Sequence, residues 1–248
     1  MNRQAGIYPV VSSIALGLIL ASFPTPSLRA QSPPETAPSE LTPYQTALLN
    51  YKTGHYDDAL AAIDDAEKAK PDDYATELLK ARILTEQKDF ADAEPILRRY
   101  LTPSGPLEIE LALGDLLLRK RDFDSASKFY AQALQAKPND PDIMLKQIYA
   151  RIGASDLVAA SKYASELKPL DPDHPCYYFA SAALAQITGK DQEAEDDIQT
   201  ARTIYGITVS NRYLKTYLEV VVPVGQSASN SSSPPPADTN AAPFSPNP

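Results

Sequence analysis

GHYDDALAAIDDAEKAKPDD, Gly54 to Asp73, holds six aspartates in three adjacent pairs: Asp57-Asp58, Asp64-Asp65 and Asp72-Asp73. Either these acids converge on a cation or a reaction, or they are the wet flank of a helix whose other residues matter more. The uncharged residues decide between the two. Ala59 recurs as Ala93, Ala126, Ala160 and Ala194, at intervals of 34, 33, 34 and 34 residues. Seven places after each stand Ala66, Tyr100, Ala133, Leu167 and Ala201; three places before stand Tyr56, Phe90, Phe123, Leu157 and Asp191. Twelve places before stand Ala47, Ala81, Gly114, Ile148 and Ala182. Four columns in register over five copies mark an internal repeat, the pattern of a stacked array.

The columns have a physical reading. Small residues on one helix opposite small residues on the next let two antiparallel helices approach closely, and the Tyr56 column fills the space beside that contact. A single pair cannot bury its apolar face, so each unit needs its neighbours. The punctuation agrees. Thr42-Pro43-Tyr44-Gln45 is a helix start with an N-cap, a first-turn proline and a capping box, and Asp140-Pro141 repeats the start. Pro71, Pro138 and Pro172 close second helices, with Gly105-Pro106 as the variant.

GHYDDAL, KDFADAE (Lys88–Glu94), RDFDSASKFYAQALQAKPND (Arg121–Asp140), SDLVAASKYASELKPLDPD (Ser155–Asp173) and GKDQEAEDDIQTA (Gly189–Ala201) resemble the second helices of tetratricopeptide repeats. The resemblance covers about residues 40–206. It departs in the first helices, where the family's large aromatic is matched only by Tyr178, while Pro43, Glu77, Glu110 and Met144 stand elsewhere. It implies a right-handed all-α solenoid of antiparallel helix pairs, with units at about 40–73, 74–106, 107–140, 141–174 and 175–206. Val209–Val222 is amphipathic, and residues 207–222 are expected to cap the last repeat.

The flanks differ in composition. Residues 1–30 read as a bacterial-type secretory signal peptide: Arg3, the apolar run Val10–Ala21, Pro24 and Pro26, then Leu28-Arg29-Ala30. No cysteine follows the run, which excludes a lipoprotein; an uncleaved anchor is the alternative, and either way the folded part is expected in the periplasm or outside the cell. Residues 31–40 read as a loose linker. Residues 223–248, rich in Pro, Ser and Asn, cannot bury enough apolar area to order themselves and read as a disordered tail.

The net charge is −9, and since residues 1–30 contribute only Arg3 and Arg29, about −11 remains for the rest. That opposes nucleic acid and anionic membrane surfaces as partners. A single cysteine, Cys176, excludes an intrachain disulfide and a thiolate metal cluster, and is expected as a small semi-buried helix residue.

The aspartates now have addresses. Asp57 and Asp58 complement a helix dipole, Asp72 and Asp73 belong to a capping turn, and Asp64 and Asp65 lie on a solvated flank near Lys68. A calcium loop needs alternating oxygen ligands about a glycine turn, which DDALAAIDD lacks. His55 and His174 fall in separate inter-helix loops and give no zinc spacing. There is no G-x-S-x-G elbow and no phosphate loop. Carboxylate pairs occur on every helix surface without one being marked. No catalytic residue, metal ligand or cofactor is assigned, and the chain reads as a non-enzyme.

The resemblance places peptide or protein binding on the concave face. Carried over, its columns give Tyr44, Leu48 and Tyr51; Leu78 and Arg82; Leu111, Asp115 and Leu118; Leu145, Tyr149 and Ile152; and Phe179 and Ala183. Chaperone-binding members of the family clamp a terminal carboxylate with Lys and Asn there, and here Arg82 is the only cation in the set. The expectation is therefore a water-exposed apolar groove taking an apolar or amphipathic helix, in an adaptor of the cell envelope. The alternative is a self-associating structural protein whose groove is filled by its own tail or a homodimer mate.

Overall fold

Antiparallel helix pairs repeat along the chain, and the columns of Ala47 and Ala59 stay buried from pair to pair. The computed structural model describes residues 41–103, 105–170, 174–224 and 226; the expected signal peptide, linker, Pro172 and most of the expected tail lie outside them. The helices are α1 (Pro43–Thr53), α2 (Tyr56–Ala69), α3 (Tyr74–Glu86), α4 (Phe90–Tyr100), α5 (Leu107–Arg119), α6 (Phe123–Ala136), α7 (Pro141–Gly153), α8 (Leu157–Leu170), α9 (Pro175–Ile187) and α10 (Asp191–Thr216). Together they build a right-handed all-α solenoid. The odd-numbered helices α1 to α9 touch one another in series and form one continuous inner row.

Local chemistry sets the helix ends. Thr42 and Gln45 close a capping box, Gln45 N–H donating to Thr42 Oγ1 at 3.3 Å and Thr42 N–H to Gln45 Oε1 at 2.9 Å. Asp73 caps α3 through Thr76 N–H at 3.2 Å, and Asp140 caps α7 through Asp142 and Ile143 N–H. Asp57 and Asp58 occupy the first turn of α2, and Asp65 pairs with Lys68 at 2.9 Å on its exposed flank. The turn inside each pair has one left-handed residue: Gly54, Lys88, Arg121, Ser155 and Gly189, spaced 34, 33, 34 and 34 apart with φ between 62° and 81°. That dihedral ends the first helix and aims the second, and only the first and last copies use glycine for it.

The small-residue columns are the helix contacts. Ala47, Ala59, Ala81, Ala93, Ala126, Ala160 and Ala182 are wholly buried. In the third pair volume is traded across the interface. A Cβ on Gly114 would lie 2.6 Å from Tyr130 Cε1, so the smallest residue of its column leaves room for a tyrosine one helical turn past Ala126. Tyr130 is fully buried and donates its hydroxyl to Asp115 at 2.8 Å.

The C-terminal stretch departs from expectation. α10 is broken at Gly206, whose φ 80° and ψ 163° are not helical. The arm beyond it, residues 207–224, continues through a π-helical turn (Tyr217–Val221) and runs two residues into the stretch read as tail. It does not simply cap the last repeat. The π-turn touches α5, α7 and α9, and Lys215 reaches Glu86 and Tyr56, so the arm crosses the inner row. One face of the arm carries Tyr213, Tyr217, Val220 and Val221 and must be covered, and the bend at Gly206 together with the charge partners Asp142, Arg119 and Glu86 directs it onto the inner row.

Candidate protein-binding groove

The inner row is a trough in which the arm already lies. At the α9 end, Tyr213 stacks on Phe179 with ring centroids 5.5 Å apart, and Tyr217 meets the same ring edge-on at 6.4 Å. The Tyr217 hydroxyl donates to Gln186 at 3.0 Å. At mid-row, Arg212 Nη2 pairs with Asp142 at 3.1 Å, and Glu219 accepts from Arg119 Nε at 3.2 Å. At the α3 end, Lys215 pairs with Glu86 and donates to Tyr56 Oη at 3.0 Å, its ammonium 5.4 Å from the Tyr56 ring centre. Cations at 212 and 215 and an anion at 219 thus meet carboxylates at 142 and 86 and a guanidinium at 119.

Arg119 and Glu86 form the floor of this arrangement. Arg119 Nη1 donates to Glu86 Oε1 at 2.6 Å, and the two side chains are 14% and 11% exposed. Burial pulls Arg119 down, but Glu86, Glu219 and Asp115 outweigh it, so the guanidinium is held above its usual value. Lys215 shows the same balance: burial lowers it and hydrogen bonds to Glu86 and Tyr56 raise it further. Asp115 takes Tyr130 on one oxygen and Lys146, at 2.8 Å, on the other. Burial pushes the Tyr130 and Tyr149 hydroxyls far above a free phenol.

Two open clefts flank the arm. One, about 370 Å3, is lined by Leu111, Asp115, Leu118, Leu145 and Tyr149 together with Arg212, Tyr213 and Thr216. The other, about 250 Å3, is lined by Tyr51, Arg82, Glu86, Asp115, Arg119 and Lys146. The expected groove residues therefore separate. Leu111, Asp115, Leu118, Leu145 and Tyr149 share one cleft, Tyr51, Arg82 and Asp115 the other, and Phe179 lies under the arm's tyrosines. Tyr44 and Leu48 are half-buried against the first pair's core, while Leu78, Ile152 and Ala183 are buried core. The expectation of a water-exposed apolar surface is thus corrected. Leu118, Leu145, Tyr149 and Phe179 are all under 4% exposed, because neighbouring helices and the arm enclose them.

This arrangement, five helix pairs with their first helices aligned along an inner row, has counterparts among known proteins. The model of the tetratricopeptide repeat matches residues 44–108 and 111–175, just over half the chain. The chain belongs to the tetratricopeptide repeat family. A thermophilic tetratricopeptide repeat protein of Thermus thermophilus is similar in structure at 20% identity and TM-score 0.58, over 71% of this chain and 97% of that one. A tetratricopeptide repeat protein of Parabacteroides merdae matches at 13% identity and TM-score 0.58, over 69% and 68%. These likenesses are of fold. No curated protein sequence matches the chain.

Within these tetratricopeptide repeats the inner-face cations extend beyond Arg82: Arg119 and Lys146 also line the clefts. The residues the sequence reading passed over, Glu86 and Arg119, stand four places after Arg82 and Asp115. One more helical turn along the same face would have found them. The carboxylate facing Arg212 was missed differently. Asp142, His174 and Cys176 place a donor atom each within 4.8 Å of one another, a grouping that spans 34 residues of sequence. Each donor is already engaged. The buried Cys176 thiol donates to Asp142, His174 Nδ1 accepts from Cys176 N–H at 3.2 Å, and Asp142 holds Arg212. Burial, reinforced by Asp142, drives the thiol well above its ordinary value, so it is a neutral donor rather than a thiolate. The cluster anchors the arm.

Proposed function

We propose that this protein is a non-catalytic scaffold of the cell envelope that takes an amphipathic helix of a protein partner on its inner face. Tetratricopeptide repeats are protein-interaction scaffolds. The finer reading rests on one observation: residues 207–224 of the chain lie in the groove as such a helix. The groove thereby displays its own recognition pattern, an aromatic slot at Phe179 and Tyr149 flanked by charge partners at Asp142, Glu86 and Arg119. A partner helix with cations one turn apart, aromatics beside them and an acid one turn on meets every one of these groups.

A labelled peptide with the sequence of residues 207–224 tests this against the full chain. In wild type the attached arm competes at high effective concentration. In the variant Arg212→Glu/Lys215→Glu the attached arm faces Asp142 and Glu86 with like charge, so the free peptide is expected to bind at least tenfold more tightly. Absence of peptide binding to both proteins would sink the reading. Export is proposed from Arg3, the apolar run Val10–Ala21 and the helix-breaking prolines after it. Among the described residues no helix is long and apolar enough to cross a membrane. The mass of the protein recovered from expressing cells, short by the first thirty residues, is the expected outcome; an intact N-terminus would favour an anchor instead.

A further inference from the structure

The hinge at Gly206 carries an inference about what else can fill the groove. Its φ of 80° with ψ of 163° lies where only glycine sits without strain. A Cβ there would meet nothing within 4 Å, so dihedral preference alone, and not crowding, calls for glycine. On both sides the chain is helical, from Asp191 to Tyr205 and from Ile207 onward. With helical dihedrals at this one residue, α10 and the arm become a single rod of about 50 Å at 1.5 Å per residue. The arm is then carried off its own groove.

Every charge and ring contact described for the arm in the groove is made by residues beyond the hinge: Arg212, Tyr213, Lys215, Tyr217 and Glu219. None depends on the arm belonging to the same copy. Arms exchanged between two extended copies restore all of these contacts in both grooves and change only the two hinges. Such an exchange is reciprocal and closes with two-fold symmetry, leaving no empty groove. The joint is also bare: Ile204, Ile207 and Val209 are 55%, 66% and 44% exposed, a group of branched aliphatic side chains beside the very residue that would straighten.

We propose that the C-terminal arm exchanges between two copies of this chain about Gly206, each copy's arm occupying the other's groove. The proposal rests on reading the groove as a helix receptor and names a second copy as the occupant. The closed monomer is favoured at low concentration, because the attached arm is always near. The hinge tips the balance.

Two variants of the full chain test the exchange. Gly206→Ala penalises the glycine-only dihedrals of the hinge by about tenfold per copy, so the dimer dissociation constant should fall by about a hundredfold, read by sedimentation or native mass spectrometry. Independently, a copy carrying Glu86→Lys and a copy carrying Lys215→Glu each break the attached latch. When the two are mixed, exchange restores a Lys–Glu pair in both grooves. A one-to-one heterodimer that neither variant forms alone is the expected result, and it holds even if Gly206→Ala folds poorly. A mixture that stays monomeric over the whole concentration range overturns the exchange. If that mixture stays monomeric while the arm peptide still binds the charge-reversed variant, the groove reading stands and only the second-copy occupant falls. If the peptide fails as well, both fall.

Discussion

Replacing Glu86 with glutamine removes one charge from the point where α2, α3, α5 and the arm converge, with almost no change in volume. Its carboxylate accepts from Arg119 at 2.6 Å, receives Tyr56 at 3.4 Å and pairs with Lys215. Glu86 and Arg119 are nearly enclosed, so their interaction is screened far less than a surface pair. Stripping a buried cation of its only partner costs about 3–5 kcal/mol, but Arg119 keeps Glu219 at 3.2 Å, so the loss here should be about 2 kcal/mol. Lys215 is 42% exposed, and its half of the latch is worth at most about 1 kcal/mol.

The two contributions separate in amide hydrogen exchange, which reads local opening directly. Lys215→Ala should speed exchange across residues 210–222 by about two- to fivefold, corresponding to about 0.5–1 kcal/mol, and leave the remaining helices unchanged. Glu86→Gln should speed the same amides by about tenfold and lower global stability as well, because it also loosens α5 from α3. Should Glu86→Gln cost global stability while the arm's amides exchange at the wild-type rate, the latch carries no weight and the reasoning fails.

Gly114→Ala should destabilise by about 1–3 kcal/mol at unchanged helicity, since its methyl would meet a Tyr130 ring that Asp115 holds in place; thermal unfolding measures it. Tyr149→Phe should be neutral or slightly stabilising in denaturant titration, because its buried hydroxyl has no partner among the described residues. Lys88→Gly should stabilise by about 0.5–1 kcal/mol by relieving a left-handed dihedral at a turn where the first and fifth repeats already carry glycine. Alkaline pH should release the arm: burial holds Tyr149, Tyr213 and Tyr217 above the ordinary phenol value of 10.0, with Tyr217 pushed up to about 12. A folded-state pKa above the unfolded one gives stability that is complete below pH 10 and lost as pH rises through the folded value. Lys215, also raised, loses its contribution in the same direction above 10.5. Tyrosine absorbance and arm exchange should therefore change together, and no change in arm protection as the pH approaches 12 would contradict the assignment.

The repeat was legible because it is written in short range. Ala59 and its successors, Thr42 with Gln45, and Asp140 with Pro141 act on residues within one helix pair or the next, so spacing and residue type carry the full message. The six aspartates that first suggested an acidic site are dipole charges, a cap and a wet flank for the same local reasons. The groove columns were legible as positions but not as an exposed surface. Whether Tyr149 or Phe179 meets water depends on what lies over it, and no periodicity encodes that.

What lies over it is decided by contacts of another kind. Lys215 meets Glu86 and Tyr56 across 129 and 159 residues, Glu219 meets Arg119 across 100, and Arg212 meets Asp142 across 70. The amphipathic pattern of residues 209–222 announces that this helix must cover an apolar face, and any apolar face of the solenoid satisfies that demand equally well. The choice falls to the dihedrals of Gly206, which turn the arm back onto the inner row, and to the charges at 86, 119 and 142, which come together only once the second, third and fourth repeats have stacked. A repeat's identity is a local property of the chain, whereas the occupant of its groove is set by the direction of one bend.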